Sequence, residues 1–282
     1  MTTIQNNYEI FREKFLDGLS KLPDAPVMLS GGVDSATILA GLLELGKTPD
    51  VITFQLGEYQ SPDVIVAKSM CETLKLPHCI VKIPQSDETL KSDIKRLVNI
   101  IGTTKRLHVQ CAHPFLYVCP TILDLGYHEV LAGFALDHIC GMGRYGEQCA
   151  RDNTPRAFTE LRIRGIEDMT QTSTDTIPKL CASYGIKILD PYRVNKDFIS
   201  WGVLLSWDEM HKPFQKAIAV KAFPDFWKKG KWYRKHASYQ IVSGIRDWHV
   251  TLDQERVRSC KNLVESQRTM RTTYKKVMND EI

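Results

Sequence analysis

The chain has 282 residues with a formal net charge of +4, and 43% of its residues are hydrophobic and 25% charged. These values are typical of a soluble globular protein and exclude collagen-like, coiled-coil and disordered chains. No apolar run reaches the length of about 18 residues that a membrane span needs, and the N-terminus lacks the pattern of a signal peptide, so we expect a cytoplasmic protein. The eight cysteines include no CxxC pair, which argues against a zinc site or a disulfide framework.

Charge is distributed unevenly along the chain. From Phe226 to the end there are 13 Lys and Arg but six Asp and Glu, so this segment carries +7 and residues 1–225 carry −3. Its first part, Phe226–His236, mixes basic with aromatic residues, a pattern that can hold phosphates and stack on bases. Two interpretations stay open: the segment binds nucleic acid, or its aromatic residues pack in the core and its lysines are solvated.

Hydrophobic periodicity predicts alternating helices and strands in the first half of the chain. The predicted helices are 8–19, 36–45, 61–76, 88–101 and 114–125, and the predicted strands are 27–29, 51–56, 79–83 and 129–133. This alternation indicates an α/β fold, a parallel sheet with helices on both faces and ligands at the carboxyl ends of its strands.

After residue 143 strand signals are few and helical ones are several. We therefore predict a nucleotide-binding α/β part at residues 1–143. A mainly helical, substrate-binding part with the basic C-terminal segment follows at 144–282. The two parts can form one continuous domain.

Two segments compete for the role of phosphate-binding loop. Gly41–Thr48 matches the pattern GxxxxGK[ST], but its interior Leu-Leu-Glu-Leu favours a helix, and a strand follows it where a phosphate loop needs a helix. Gly46 is better explained as the end of a helix.

Ser30-Gly-Gly-Val-Asp-Ser35 has the required context, because a buried strand precedes it and a helix N-terminus follows it. The two glycines let the backbone approach an anion, the serines add hydroxyl donors, and the helix directs free N–H groups at the same point. This pattern predicts a pyrophosphate cradle. Phosphate binding alone does not explain Asp34, which is a candidate Mg²⁺ ligand.

The segment SGGVDS resembles the PP-loop of the ATP pyrophosphatases, which cleave ATP between the α and β phosphates to adenylate an acceptor oxygen. Roughly residues 24–250 are similar to the asparagine synthetase-like branch, in its synthetase domain. The further segments that carry this resemblance are Phe54–Gly57 with Ser61–Asp63, Val130–Gly133 with Asp137 and Gly141–Tyr145, Tyr184–Tyr192, Lys216 and Ala222–Phe223. The resemblance implies an adenine nucleotide α-hydrolase-like fold, the use of ATP and Mg²⁺, and a C–N ligase that forms AMP and pyrophosphate.

The resemblance also implies roles for single residues. Asp34 and Asp137 are expected to hold Mg²⁺, and Lys235 to neutralise the departing pyrophosphate, with ordinary surface roles open for Asp137 and Lys235. Asp34, Lys235 and His138 are the expected catalytic residues. The residues expected to contact the nucleotide are Leu29, Ser30, Gly31, Gly32, Val33, Asp34, Ser35, Phe54, Gly133, Ser243 and Gly244.

The sequence departs from the family pattern at three positions. Thr2 stands where family glutaminases have a nucleophilic cysteine, so we expect no glutaminase domain and an outside source of ammonia or amine. Phe134 replaces the usual glutamate or tyrosine and cannot take a proton from the nitrogen nucleophile. His138 follows Asp137 in place of an acidic residue and is either that base or a structural histidine.

Two further histidines, His108 and His113, lie before a predicted helix start. At that place they can approach the triphosphate or the substrate, although a structural role is the alternative. A zinc site is excluded for them because their spacing with Cys111 does not suit one.

The leading hypothesis is a ligase that adenylates a carboxylate or carbonyl oxygen of a small acceptor and lets a nitrogen nucleophile displace AMP. One alternative is an adenylating enzyme that modifies a nucleotide or a nucleic-acid base. Another is an ATP-binding partner subunit that has lost its chemistry.

Overall fold

The computed structural model describes residues 6–142, 148, 150–152, 154–167, 175–234 and 238–282. Five strands of these residues form one parallel sheet in the order β3-β2-β1-β4-β5. The strands are β1 Val27–Met28, β2 Val51–Leu56, β3 His78–Ile83, β4 Glu129–Leu131 and β5 Lys187–Leu189.

Helices surround this sheet, together with 3-10 turns at Pro191–Arg193 and Thr251–Asp253. The described α-helices of the first half are α1 Asn7–Ser20, α2 Val33–Glu44, α3 Pro62–Leu74, α4 Asp87–Ile101, α5 Arg106–Ala112, α6 Phe115–Asp124 and α7 Leu136–Cys140. Those of the second half are α8 Pro155–Glu167, α9 Thr176–Ser183, α10 Lys196–Gly202, α11 Trp207–His211, α12 Ala217–Ala222, α13 Pro224–Trp227, α14 Tyr239–Val242, α15 Ile245–Val250, α16 Gln254–Arg258 and α17 Leu263–Met278.

Alternate residues of the strands face two separate hydrophobic cores. Val27, Val51 and Leu131 belong to one core, whereas Met28 and Ile52 belong to the other. Both faces of the sheet are therefore covered, which confirms the α/β fold class. Buried aliphatic side chains on both faces are characteristic of a parallel sheet.

The order of the strands creates a crevice in the middle of the sheet. The chain runs from β1 outward to β2 and β3 and then returns to place β4 on the other side of β1. At such a reversal the connections leave the neighbouring strands in opposite directions, and ligands bind at the carboxyl ends of the strands. The site is thus expected beside the loops that follow β1 and β4.

All predicted elements of the first half are found, with ends shifted by at most a few residues. The competing segment Gly41–Thr48 is helical up to Glu44. Gly46 follows that helix with a positive φ of 74°, and Lys47 forms a 2.8 Å ion pair with Asp24. The prediction that this segment ends a helix is therefore confirmed.

Helices α5 and α7 of the first half, and strand β5, lie where no element was predicted. Helix α5 carries His108 and precedes the predicted helix start at residue 114. Strand β5 lies beyond residue 143 and pairs with β4, so the second part of the chain contributes an edge strand to the same sheet.

Two aromatic residues of the segment Phe226–His236 belong to the core, whereas Tyr233 is exposed. Phe226 and Trp232 are buried, while Lys228, Lys229 and Lys231 are exposed. These two rings are therefore not available to stack on bases, and the nucleic-acid interpretation gains no support from them. No helix of the described ranges is long and apolar enough to cross a membrane.

Candidate active site

The loop between β1 and α2 forms a tight turn held by its own serines. The backbone N–H of Ser30 donates to Ser35 Oγ at 3.1 Å, and the two hydroxyl oxygens are also 3.1 Å apart. Helix α2 begins at Val33, so its first free N–H groups lie at this loop. The arrangement has the donors and the dipole direction that an anionic phosphate requires.

Gly31 is required at its position for two reasons. Its φ of +71° is a conformation that other residues rarely adopt, and a Cβ atom there would lie 2.6 Å from the carbonyl oxygen of Asp63. The start of α3 therefore closes directly onto the loop.

Asp34 and Asp137 converge on one lysine. Asp34 lies in the first turn of α2 and Asp137 in the first turn of α7, the helices that follow the two central strands. The ammonium of Lys216 donates to Asp34 Oδ1, and its Nζ lies 2.6 Å from Asp137 Oδ1. Burial alone would lower the pKa of Lys216, but Asp137 and Asp34 together raise it above its ordinary value.

The stem of Lys216 runs through a space that only glycine leaves open. A Cβ atom on Gly141 would lie 2.3 Å from Lys216 Cε. The backbone of Lys216 has a positive φ of 64°, and its side chain is 2% exposed. The stem of Lys216 is therefore closely packed, while the residue still lines the pocket beside Asp34 and Asp137.

Buried polar residues hold α7 and its aspartate in place. Asp190 accepts the N–H groups of Phe134 and Ala135 at 3.3 and 3.0 Å and forms a 3.0 Å ion pair with Arg193. Burial raises the pKa of Asp190 to about 6, although Arg193 and the backbone N–H groups act against this rise. Asp190 thus satisfies N–H groups that the start of α7 leaves unpaired.

Arg162 supports the other end of α7. Its side chain is fully buried and donates to the carbonyl groups of His138, Ile139 and Gly202. Burial lowers the pKa of Arg162 to about 10. The guanidinium therefore joins α7 to the C-terminal end of α10.

The serine loop, Asp34, Asp137 and Lys216 line one pocket with a volume of about 290 Å³. Four aromatic residues form another part of its lining, called the aromatic wall below: Phe54, Phe115, Phe134 and Tyr239. Ser243 lines the pocket too, and its buried hydroxyl has no hydrogen-bond partner among the described residues. A lining that combines apolar rings with charged groups suits a ligand with a planar ring and a phosphate chain.

The structure brings most of the predicted nucleotide-contacting residues together. Those that line the pocket are Leu29, Ser30, Gly32, Val33, Asp34, Ser35, Phe54, Gly133 and Ser243, and the proposed metal ligand Asp137 lines it as well. Gly31 and Gly244 do not line it but take positive φ angles beside residues that do. Lys235, and Gly143–Tyr145 of the proposed metal motif, lie outside the described residues.

His138 is not part of this pocket lining. Its ring packs on α8, where a Cβ atom on Gly165 would lie 2.3 Å from it. Burial lowers its pKa, and its Nδ1 has no hydrogen-bond partner among the described residues. The geometry gives no support to a proton-transfer role for His138, and that role stays an untested prediction.

The other two candidate histidines have structural roles. His113 is fully buried between Asp93 and His249, at 2.8 and 2.7 Å. His108 Nδ1 lies 2.8 Å from Asp175 Oδ1. Neither histidine lines the pocket, which favours the structural alternative for both.

Sequence reasoning missed two cationic side chains of the pocket. Lys216 was noted only as one point of the family resemblance, although it joins both aspartates. Arg234 forms a 2.6 Å ion pair with Asp63 at the start of α3. The position of Asp63 in a first helical turn after β2, like that of Asp34 after β1, was the available signal.

Comparisons with known proteins match most of the chain to one family and short segments of it to individual enzymes. A family model described as asparagine synthase matches residues 23–275. The 7-cyano-7-deazaguanine synthase of Desulfotalea psychrophila is 36% identical over 72 residues, 25% of this chain and 33% of that enzyme. The enzyme of the same name from Caldicellulosiruptor saccharolyticus is 44% identical over 59 residues, 21% of this chain and 26% of that enzyme.

The matched segments span a third or less of these two relatives. Among solved structures, the NMN synthetase of Francisella tularensis is similar with a TM-score of 0.34 and 15% identity. That alignment covers 92% of this chain and 99% of the synthetase chain.

Proposed function

The chain belongs to the asparagine synthase family of PP-loop ATP pyrophosphatases, and from this premise we propose that it is a C–N ligase that forms AMP and pyrophosphate. One observation carries the proposal. The SGGVDS loop, both predicted metal ligands and a buried lysine face one pocket where the strand order of the sheet reverses.

The nucleotide is proposed to lie with its phosphates on the loop and its ring toward the aromatic wall. The hydroxyl groups of Ser30 and Ser35 and the N–H groups at the start of α2 are the phosphate donors. Phe54 and the hydroxyl of Ser243, which has no hydrogen-bond partner in the part of the chain that the structure describes, are available to the ring and the ribose.

The residues of the pocket also fit a magnesium ion. Mg²⁺ prefers a few carboxylates combined with phosphate oxygens and water over a complete protein cage. Asp34 and Asp137 supply two carboxylates, and the described residues contain no group of three or more His, Cys, Asp and Glu placed to hold a metal. When bound, the ion would neutralise part of the phosphate charge.

The proposed reaction has two steps. An acceptor oxygen attacks the α-phosphorus, the bond to the bridging oxygen breaks, and pyrophosphate leaves with that oxygen. A nitrogen nucleophile then attacks the adenylated carbon, AMP leaves, and the nitrogen loses a proton. Lys216 and Arg234 provide positive charge near the leaving group, a role that we also propose for Lys235.

We assign no protein base to the second step. Phe134 lines the pocket and has no titratable group, and His138 packs away from it on α8. An amine or ammonia that enters uncharged needs a base only after it has attacked, when solvent or the leaving AMP phosphate is able to take the proton.

A nucleobase-like acceptor is the second candidate substrate. Both relatives described above are named as synthases of 7-cyano-7-deazaguanine, a modified purine-like base. With Phe54 given to the ring of ATP, Phe134 and Tyr239 are the aromatic residues left for the acceptor, and they suit a flat heterocycle better than a small, highly charged amino acid.

Product analysis tests the proposal. ATP labelled in the α-phosphate is incubated with the protein, Mg²⁺, ammonium and either aspartate or a mixture of purine-like carboxylic acids. Labelled AMP in an amount equal to the pyrophosphate supports the ligase, and the acceptor that stimulates it identifies the substrate class. ATP binding without turnover in a small-molecule extract would favour the partner-subunit alternative, and labelled ADP would contradict the cleavage site.

A further inference from the structure

Lys216 occupies the place at which the two proposed metal ligands meet. Its ammonium donates to Asp34 and lies 2.6 Å from Asp137. We propose that Lys216 is the resident counter-ion of this aspartate pair and keeps a divalent cation out until a triphosphate enters with it. This inference rests on the proposed function, in which the same two aspartates hold Mg²⁺.

The position of the ammonium is built by its surroundings and is not that of a loose surface side chain. Lys216 is 2% exposed, and its stem passes over Gly141, where a Cβ atom would lie 2.3 Å away. Its backbone N–H donates to the carbonyl of Met210 at 2.9 Å. The lysine therefore has little freedom to leave the two carboxylates for bulk water.

Without a triphosphate, the replacement of the Lys216 ammonium by a divalent cation is expected to be unfavourable at this site. To bind both carboxylates it must displace the ammonium, and a buried ammonium without an anionic partner is costly. If the ammonium stays in place, the divalent cation lies close to a second positive charge, and their repulsion is stronger in a buried site than in water. Either way, metal affinity in the absence of nucleotide is expected to be weak.

A triphosphate removes this conflict. Its oxygens are anionic partners for the displaced ammonium while the metal takes the carboxylates and further phosphate oxygens. Lys216 lines the pocket next to the serine loop, so the exchange requires only rotations of its side chain. Metal and triphosphate are therefore expected to bind together, with the lysine changing partners.

The test measures Mn²⁺ binding by electron paramagnetic resonance, without nucleotide, in the full chain. Lys216→Met removes the charge and keeps a linear apolar stem, and it is expected to bind Mn²⁺ at least tenfold more tightly than the wild type. The exposed Lys228→Met is the matched control and is expected to leave the affinity unchanged. Adding Asp34→Asn to Lys216→Met is expected to abolish the gain.

Equal Mn²⁺ affinity of the wild type and Lys216→Met, within a factor of two, would overturn the inference. Tight Mn²⁺ binding by the wild type without nucleotide would overturn it as well, and this measurement needs no variant that folds. Neither result depends on which bond of ATP is cleaved. Formation of AMP and pyrophosphate together with either result would leave the proposed function standing.

Discussion

At the scale of single residues, Gly31 combines a left-handed backbone conformation with a lack of space for any side chain. Its φ is positive and the carbonyl of Asp63 lies 2.6 Å from where a Cβ atom would be. Gly46 has a similar φ of +74° but open space around it. Comparing alanine substitutions at Gly31 and Gly46 therefore separates the free-energy cost of a positive φ from the cost of a contact between the new Cβ atom and Asp63.

We predict that Gly31→Ala destabilises the fold by at least about 1 kcal/mol more than Gly46→Ala, which bears only the conformational cost of about 1–2 kcal/mol. The same change moves the loop and is expected to weaken ATP binding at least tenfold, whereas Gly46→Ala leaves it unchanged. Urea unfolding and ATP titration measure the two effects. Equal stability and equal ATP affinity of the two variants would contradict the close contact between the loop and α3.

At the scale of elements, helix α7 depends on Asp190, which lies outside it. Asp190→Asn keeps the shape of the side chain but removes the charge opposite Arg193 and weakens the bonds to the N–H groups of Phe134 and Ala135. We expect a loss of about 3 kcal/mol in unfolding free energy, as for other buried ion pairs broken on one side. Activity is expected to fall too, because α7 carries Asp137.

Urea unfolding of Asp190→Asn beside the exposed Asp197→Asn is the measurement. The control change is expected to cost less than about 1 kcal/mol. A wild-type stability for Asp190→Asn would show that the start of α7 does not need this carboxylate.

Three helices on one side of the sheet, α4, α15 and α17, are joined by a buried polar chain that passes through His113. Tyr274 of α17 and His249 of α15 are 2.7 Å apart, His249 and His113 are 2.7 Å apart, and His113 lies 2.8 Å from Asp93 of α4. All four groups are satisfied at once when both histidines are neutral and each donates toward Asp93. A proton added to His249 Nδ1 would remove the lone pair that accepts from the Tyr274 hydroxyl, so this hydroxyl would have to accept instead of donate.

The buried hydrogen bonds of His249 predict that the folded protein loses stability in acid. Burial, and then the neighbouring His113, lower the pKa of His249 well below its ordinary value of 6.5. Below pH 6.5 the unfolded chain therefore binds a proton that the folded chain does not, and the unfolding free energy falls as the pH decreases, by up to about 1.4 kcal/mol per pH unit.

We expect His249→Gln to be less stable than the wild type at pH 8 and to show a shallower decrease between pH 6.5 and 5. Urea unfolding at several pH values is the measurement, with the exposed His128→Gln as the control that keeps the wild-type slope. An unchanged slope in His249→Gln would assign the acid sensitivity to other groups.

At the scale of the whole molecule, the sequence predicted features formed by neighbouring residues better than contacts between distant ones. The strand, glycine loop and helix around Ser30 lie within a few residues of one another, so their order and composition were sufficient to predict the turn between β1 and α2. The contact between Lys216 and Asp34 joins residues 182 positions apart, and no local pattern encodes it.

The positions whose roles the sequence left open share one physical reason. The orientation of His138 is set by the packing of α7 on Gly165 of α8, which a sequence pattern does not reveal. His113 lies in an apolar stretch near the pocket, but Asp93 and His249, from distant parts of the chain, hold it in the core.

The central claim is that ATP is bound at the SGGVDS loop and cleaved between its α and β phosphates. The most direct measurement compares AMP and pyrophosphate formation by the wild type, Asp34→Asn and Lys47→Ala, with Mg²⁺, ammonium and a small-molecule extract. Asp34→Asn is expected to lose at least about 100-fold in rate. Lys47→Ala, which changes the competing segment beside Asp24, is expected to keep the wild-type rate. A protein that forms ADP and phosphate, and loses this activity in Lys47→Ala but not in Asp34→Asn, would contradict the account.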